Sequence, residues 1–103
     1  MGFTDADVVR LAHDRTMDVF VVERFLVGWT CDEVAALVRR LGDASAELDA
    51  HGVRHLESIV IPFDEACLSM FAGPDGDSVR RANEALGLPF GRILAASVEG
   101  ALA

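Results

Sequence analysis

Between Val19 and Ser97 the chain alternates apolar strand-like runs with helical stripes, and nearly every junction carries a start or stop signal. The order reads strand, helix, strand, hairpin, strand, helix, strand. A βαββαβ order is satisfied by an α+β fold of the ferredoxin-like, split-βαβ kind, an antiparallel four-stranded sheet with both helices on one face. In that topology the first strand pairs with the third and the second strand lies at an edge. The opposite sheet face is left uncovered, so function is first expected there.

Each element has a local cause. Asp18–Val27 is a nearly continuous apolar run, interrupted only by Glu23 and Arg24, as in a strand covered on both faces. Thr30-Cys31-Asp32-Glu33 is a capping box, with Trp29 and Val34 at the positions of a hydrophobic staple. The stripe Val34, Leu37, Val38, Leu41, Ala44, Ser45, Leu48 predicts one helix over 31–51, closed by Gly52. A glycine inside a helix costs about 1 kcal/mol relative to alanine, so Gly42 is expected to mark a close approach to the sheet. Val53–Pro62 alternates as a second strand, Phe63-Asp64-Glu65 turns, and Ala66–Ala72 returns. Gly73-Pro74-Asp75-Gly76 is a loop, Asp77 or Ser78 caps a helix over 78–86, and Gly87-Leu88-Pro89 ends it. Phe90–Val98 is the last strand. Residues 18–99 are thus expected to form the ferredoxin-like domain. Residues 1–17 form an N-terminal arm in which Thr4, Asp7, Val8, Leu11 and Ala12 predict a short helix over Thr4–His13.

A chain of 103 residues makes one domain with a single core. Its formal charge of −8 argues against nucleic acid as a partner, because phosphate binding needs a basic surface. No apolar run approaches the ~18 residues that span a bilayer, and the acidic N-terminus lacks a signal peptide's apolar region. No membrane association and a cytoplasmic location are the default expectations. Cys31 and Cys67 have neither CxxC nor zinc-ribbon spacing and are expected to be reduced.

The informative polar residues interrupt apolar strands. Glu23 and Arg24 are consecutive, so only one of them can enter the helix-covered core. Under strict alternation His55 and Glu57 share a face, with Ser58 on the other. Glu23, His55 and Glu57 are therefore candidate metal ligands on the open face, and an imidazole with carboxylates suits nickel or another divalent transition metal such as zinc or cobalt. The competing expectation pairs Glu23 with an arginine across the sheet and leaves His55 at the rim. His51 and His55 cannot chelate one ion as an extended pair, because four residues separate their backbones by ~13 Å. Ser58 and Ser69 read as small packing residues, and no phosphate loop, nucleophile elbow or dinucleotide fingerprint is present.

Several segments together resemble a family of small bacterial proteins known as nickel-binding or nickel-responsive. They are Val19–Leu26 with Gly28-Trp29-Thr30, Val53-Arg54-His55-Leu56-Glu57-Ser58, Asp64-Glu65-Ala66-Cys67, Ser78-Val79-Arg80-Arg81-Ala82-Asn83, and Gly87–Ile93. The likeness runs over roughly residues 19–97. It implies a ferredoxin-like fold, a homodimer and nickel binding by at least one relative. Two positions depart from the family pattern. Ala72-Gly73-Pro74 stands where many relatives have Glu-Ala-Pro, and Glu57 where many have histidine before the serine.

Three functions compete. The first is a small metal-binding homodimer, with nickel as the implied ion and no clear catalytic machinery. The second is a cofactor-independent small-molecule enzyme (isomerase, cyclase or monooxygenase-like) or a ligand carrier. It would use a pocket at the open face lined by Arg24, Phe25, Met70 and Phe71, with His55 or Glu23 transferring protons. The third is an interaction module whose open face only dimerises. Fold does not choose among them.

Overall fold

Antiparallel pairing organises the molecule, for which a computed structural model describes residues 17–97 and Glu99. Strand β1 (Asp18–Phe25) is followed by helices α1 (Cys31–Gly42) and α2 (Ser45–Asp49). Strand β2 (Arg54–Ile61), a single 3-10 turn (Pro62–Asp64), strand β3 (Ala66–Gly73), helix α3 (Gly76–Leu86) and strand β4 (Ile93–Ala96) complete the order. The sheet runs β2-β3-β1-β4, all antiparallel, with the expected β1–β3 pair at its centre. This is the ferredoxin-like topology. The expected arm helix over Thr4–His13 lies outside the described residues.

Alternation along β1 separates two environments. Phe20, Val22 and Arg24 face the helices, where Phe20 and Val22 join Phe71, Leu37, Leu41, Leu48, Val79 and Leu86 in the main core. Val19, Val21, Glu23 and Phe25 face the other way, opposite Ala72, Met70, Leu68 and Ala66. A smaller apolar cluster of Val19, Leu56 and Ala72 sits on that open side, packed by Met17, Met70 and Ala96.

The helix starts follow their capping residues. Thr30 Oγ1 accepts the Glu33 amide at 3.1 Å and Glu33 Oε1 accepts the Thr30 amide at 2.8 Å, so the capping box is complete. Asp75 caps α3 by accepting the Ser78 amide at 2.7 Å, which starts that helix two residues before the expected position. Gly87 closes it at φ 68°, a left-handed conformation that costs a residue with Cβ about 1 kcal/mol. Gly87→Ala is accordingly expected to destabilise by about 1 kcal/mol, read as a lower urea midpoint at unchanged slope.

Two local expectations change. The helix predicted over 31–51 divides at Gly42, and the exposed Arg40 and Glu47 bridge the break through two hydrogen bonds of 2.9 and 3.0 Å. Gly42 does not approach the sheet, since a Cβ there would meet nothing within 4 Å. It ends α1 and lets Ala44 turn into the core. The close approach occurs at Gly73, where a Cβ would lie 3.3 Å from both Val53 and Val79.

Candidate functional site

A β-bulge between His55 and Glu57 decides which polar residues meet. His55 lies opposite Phe71 and Ser58 opposite Ser69, both facing the helices, whereas Glu57 lies opposite Met70 on the open face. The extra residue, Leu56, is buried in the small open-side cluster. A bulge places two residues of one strand against one of its partner and so resets the alternation. His55 and Glu57 therefore occupy opposite faces, and His55 and Ser58 share one.

On the covered face these residues join a buried polar chain. Arg24 is fully buried, and its guanidinium donates from Nε to Ser69 Oγ (3.1 Å), from one terminal nitrogen to the Pro89 carbonyl (3.1 Å) and from the other to Asn83 Oδ1 (2.6 Å). Asn83 Nδ2 donates to the Val79 carbonyl at 2.9 Å, which aims the amide oxygen at Arg24. All three acceptors are neutral. No ion pair to Arg24 occurs among the described residues, and its charge instead sits against the C-terminal turn of α3, the negative end of the helix dipole. Burial pulls the guanidinium down to about 10, so it remains charged at neutral pH.

The chain continues towards the sheet edge. Ser69 Oγ lies 2.9 Å from Ser58 Oγ, which lies 2.9 Å from His55 Nε2. Burial first, and the Arg24 charge second, lower His55 to about 4, against a hydrogen bond to the Glu57 main chain that raises it. His55 is therefore neutral at pH 7. Nε2 accepts from Ser58 or donates to it according to the tautomer. Ser69 accepts from Arg24, which can only donate, and the direction between the two serine hydroxyls follows the histidine tautomer.

The far end of this chain opens into a cleft of about 650 Å³ between the edge strand β2 and the α1–α2 break, within the range of small-molecule sites. Leu41, Leu48 and Val53 supply apolar lining, and His55 and Ser58 contribute the polar part. The pocket expected on the open face is not assembled there. Arg24 and Phe71 are on the covered side, while Phe25 and Met70 are on the other.

The sequence profile of the SCO4226-like nickel responsive proteins matches residues 20–95. The chain belongs to this family. The crystal structure of SCO4226 from Streptomyces coelicolor A3(2) superposes with a TM-score of 0.62 at 18% identity, covering 79% of this chain and 95% of that one. At that identity the likeness speaks for the fold. No curated protein matches the chain.

Against the nickel in the name of the SCO4226-like family, the candidate ligands do not converge within one chain. Glu23 is held by Arg92, whose Nε and a terminal nitrogen donate to its two carboxylate oxygens at 2.7 and 3.3 Å. This is the arginine pairing that competed with the ligand reading. Glu57 lies two strands away and one rung along, a backbone separation of ~12 Å. His55 is on the other face, with Nε2 engaged by Ser58. Among the described residues no group of three or more His, Cys, Asp or Glu is placed to hold an ion. Arg24 was recognisable in the sequence as one of two residues competing for the core. Asn83 carried a signal too, as the polar member of the apolar α3 stripe Val79, Ala82, Leu86.

Proposed function

We propose that this chain is a nickel-associated binding protein without turnover of its own, acting as a homodimer closed through the open sheet face. Membership of the nickel responsive family is the observation that carries this reading. The open face supports the assembly. It presents Phe25, Ile59 and Leu94 at 61, 48 and 39% exposure beside Met70 and Val21, and symmetric pairing is the simplest cover for such a surface. It also presents Glu23 and Glu57, the two of the three candidate ligands that share it. Among the described residues a single chain brings too few ligands together, so metal binding on this reading draws on groups from two copies.

Light scattering and calorimetric nickel titration test both parts. Wild type is expected to scatter as twice 11.1 kDa at micromolar concentration and to bind nickel. Ile59→Glu with Leu94→Glu, two exposed positions, is expected to give a folded monomer with nickel affinity lowered at least about tenfold. A monomeric wild type, or undiminished nickel binding by the monomeric variant, would overturn the proposal.

A further inference from the structure

Apolar side chains stay uncovered at the end of the sheet where β1 passes into α1 and β2 turns into β3. Trp29, Val34, Ala35, Val60 and Pro62 line a pocket of about 230 Å³ there, together with the buried Leu26. Trp29 is 38% and Val60 44% exposed. Val27 and Phe63, each next in sequence to a lining residue, are more exposed still. Single apolar residues on a surface are ordinary, but a contiguous set of them marks a contact surface. The two turns that frame the pocket are pinned together. The Leu26 amide donates to the Glu65 carbonyl and the Gly28 amide to Glu65 Oε2, each at 2.7 Å. Glu65 makes both bonds from a left-handed conformation, φ 51°, the one non-glycine residue with positive φ among those described. Preformed walls lower the ordering cost of binding. Val60 lies opposite Cys67 of the main core, so the pocket is on the helix side of the sheet, away from the proposed dimer face.

Size and charge decide what fits. The volume is below the ~300–1,000 Å³ of small-molecule sites, so the pocket suits one large apolar side chain of a longer partner. Asp32 and Glu33 in the first turn of α1, and Asp64 and Glu65 in the β2–β3 turn, flank it, all exposed and none ion-paired among the described residues. No lysine or arginine occurs at positions 25–38 or 55–79, which include both turns. The positive end of α1 offsets about half of one of these four charges. A second copy would bring the same four carboxylates against them, and an anionic membrane or a nucleic acid is repelled for the same reason. We propose that this pocket docks a segment of a partner protein in which a large apolar side chain is flanked by arginine or lysine. The apolar side chain packs against Trp29 and Val60, and the flanking cations face the carboxylates of the two turns. This surface uses no residue of the open face and is independent of nickel.

The test titrates three peptides into the full chain: acetyl-Arg-Leu-Phe-Arg-amide, its analogue with glutamate for both arginines, and acetyl-Arg-Ser-Ser-Arg-amide. Trp29 is the chain's single tryptophan and lines the pocket, so its emission reports occupancy directly. The first peptide is expected to shift that emission to the blue and to saturate, with an affinity that falls as salt is raised. The glutamate and serine analogues should each bind at least about tenfold more weakly. Asp32→Asn with Asp64→Asn, isosteric changes at exposed positions, should lower the first peptide's affinity about three- to tenfold. Ala35→Phe, which fills the pocket from an exposed helix position, should lower it about tenfold with unchanged circular dichroism. Equal binding of the three peptides, an unchanged affinity in either variant, or no saturation by the first peptide would each overturn the proposal. A lower mass for Ala35→Phe by light scattering would overturn it in favour of a second copy. A larger emission shift with phosphatidylglycerol vesicles than with the peptide would overturn it in favour of a membrane. None of these outcomes depends on the nickel titration.

Discussion

Arg24→Ala is expected to destabilise the protein by about 3–5 kcal/mol, the largest effect of any single truncation considered. The guanidinium is fully buried and satisfies Ser69 Oγ, Asn83 Oδ1 and the Pro89 carbonyl at once. Removing it leaves the buried Asn83 amide oxygen without its donor, takes one partner from Ser69 Oγ and the Pro89 carbonyl, and opens a cavity beside β1. The charge itself is not the stabilising element, since burial alone already lowers its pKa. Arg24→Met, which fills the space but donates nothing, should recover only the packing part of the loss. Asn83→Ala should cost less on its own. Combined with Arg24→Ala it should add less than its separate effect, because the two changes remove one interaction. Urea unfolding monitored by circular dichroism reads each difference as a midpoint shift at constant slope. A loss below about 1 kcal/mol for Arg24→Ala would mean that water from the cleft replaces the guanidinium.

The fold was legible in the sequence because its signals are local. The Thr30–Glu33 capping box, the Gly87 stop and the apolar runs of β1 and β3 each act within a few residues, and the structure contains them all. The partition of Glu23 and Arg24 was legible only as a choice. It was settled by what waited on each side: Asn83 and the end of α3 for the guanidinium, and Arg92 before β4 for the carboxylate. Both partners are more than 55 residues distant in sequence.

The candidate site was legible only in part, for one physical reason. A bulge is a property of a strand pair, and nothing in Arg54-His55-Leu56-Glu57-Ser58 marks where β2 will carry an extra residue against β3. Strict alternation then assigns His55 to the wrong face, and Ser58 and Ser69 look like packing residues instead of links in a chain. The break at Gly42 has the same character. The apolar stripe runs through it unbroken, yet one helix ends at Gly42 and the next begins at Ser45, and both residues line the cleft.

Acid should expose the buried histidine. His55 is held at about 4 against an ordinary 6.5, so between those values the unfolded chain binds more protons than the folded one. The stability due to neutral His55 is thus fully present above pH 6.5 and is lost as the pH falls towards 4. The gap corresponds to roughly 3 kcal/mol. Burial first, and the nearby Arg24 charge second, explain the resistance to protonation. His55→Gln keeps a polar amide beside Ser58 but does not titrate. The variant is therefore expected to keep most of its stability at pH 7 and to lose much less than wild type between pH 6.5 and 4. The difference between the two proteins cancels the carboxylates they share. Parallel pH–stability curves for wild type and His55→Gln would remove the histidine from this role.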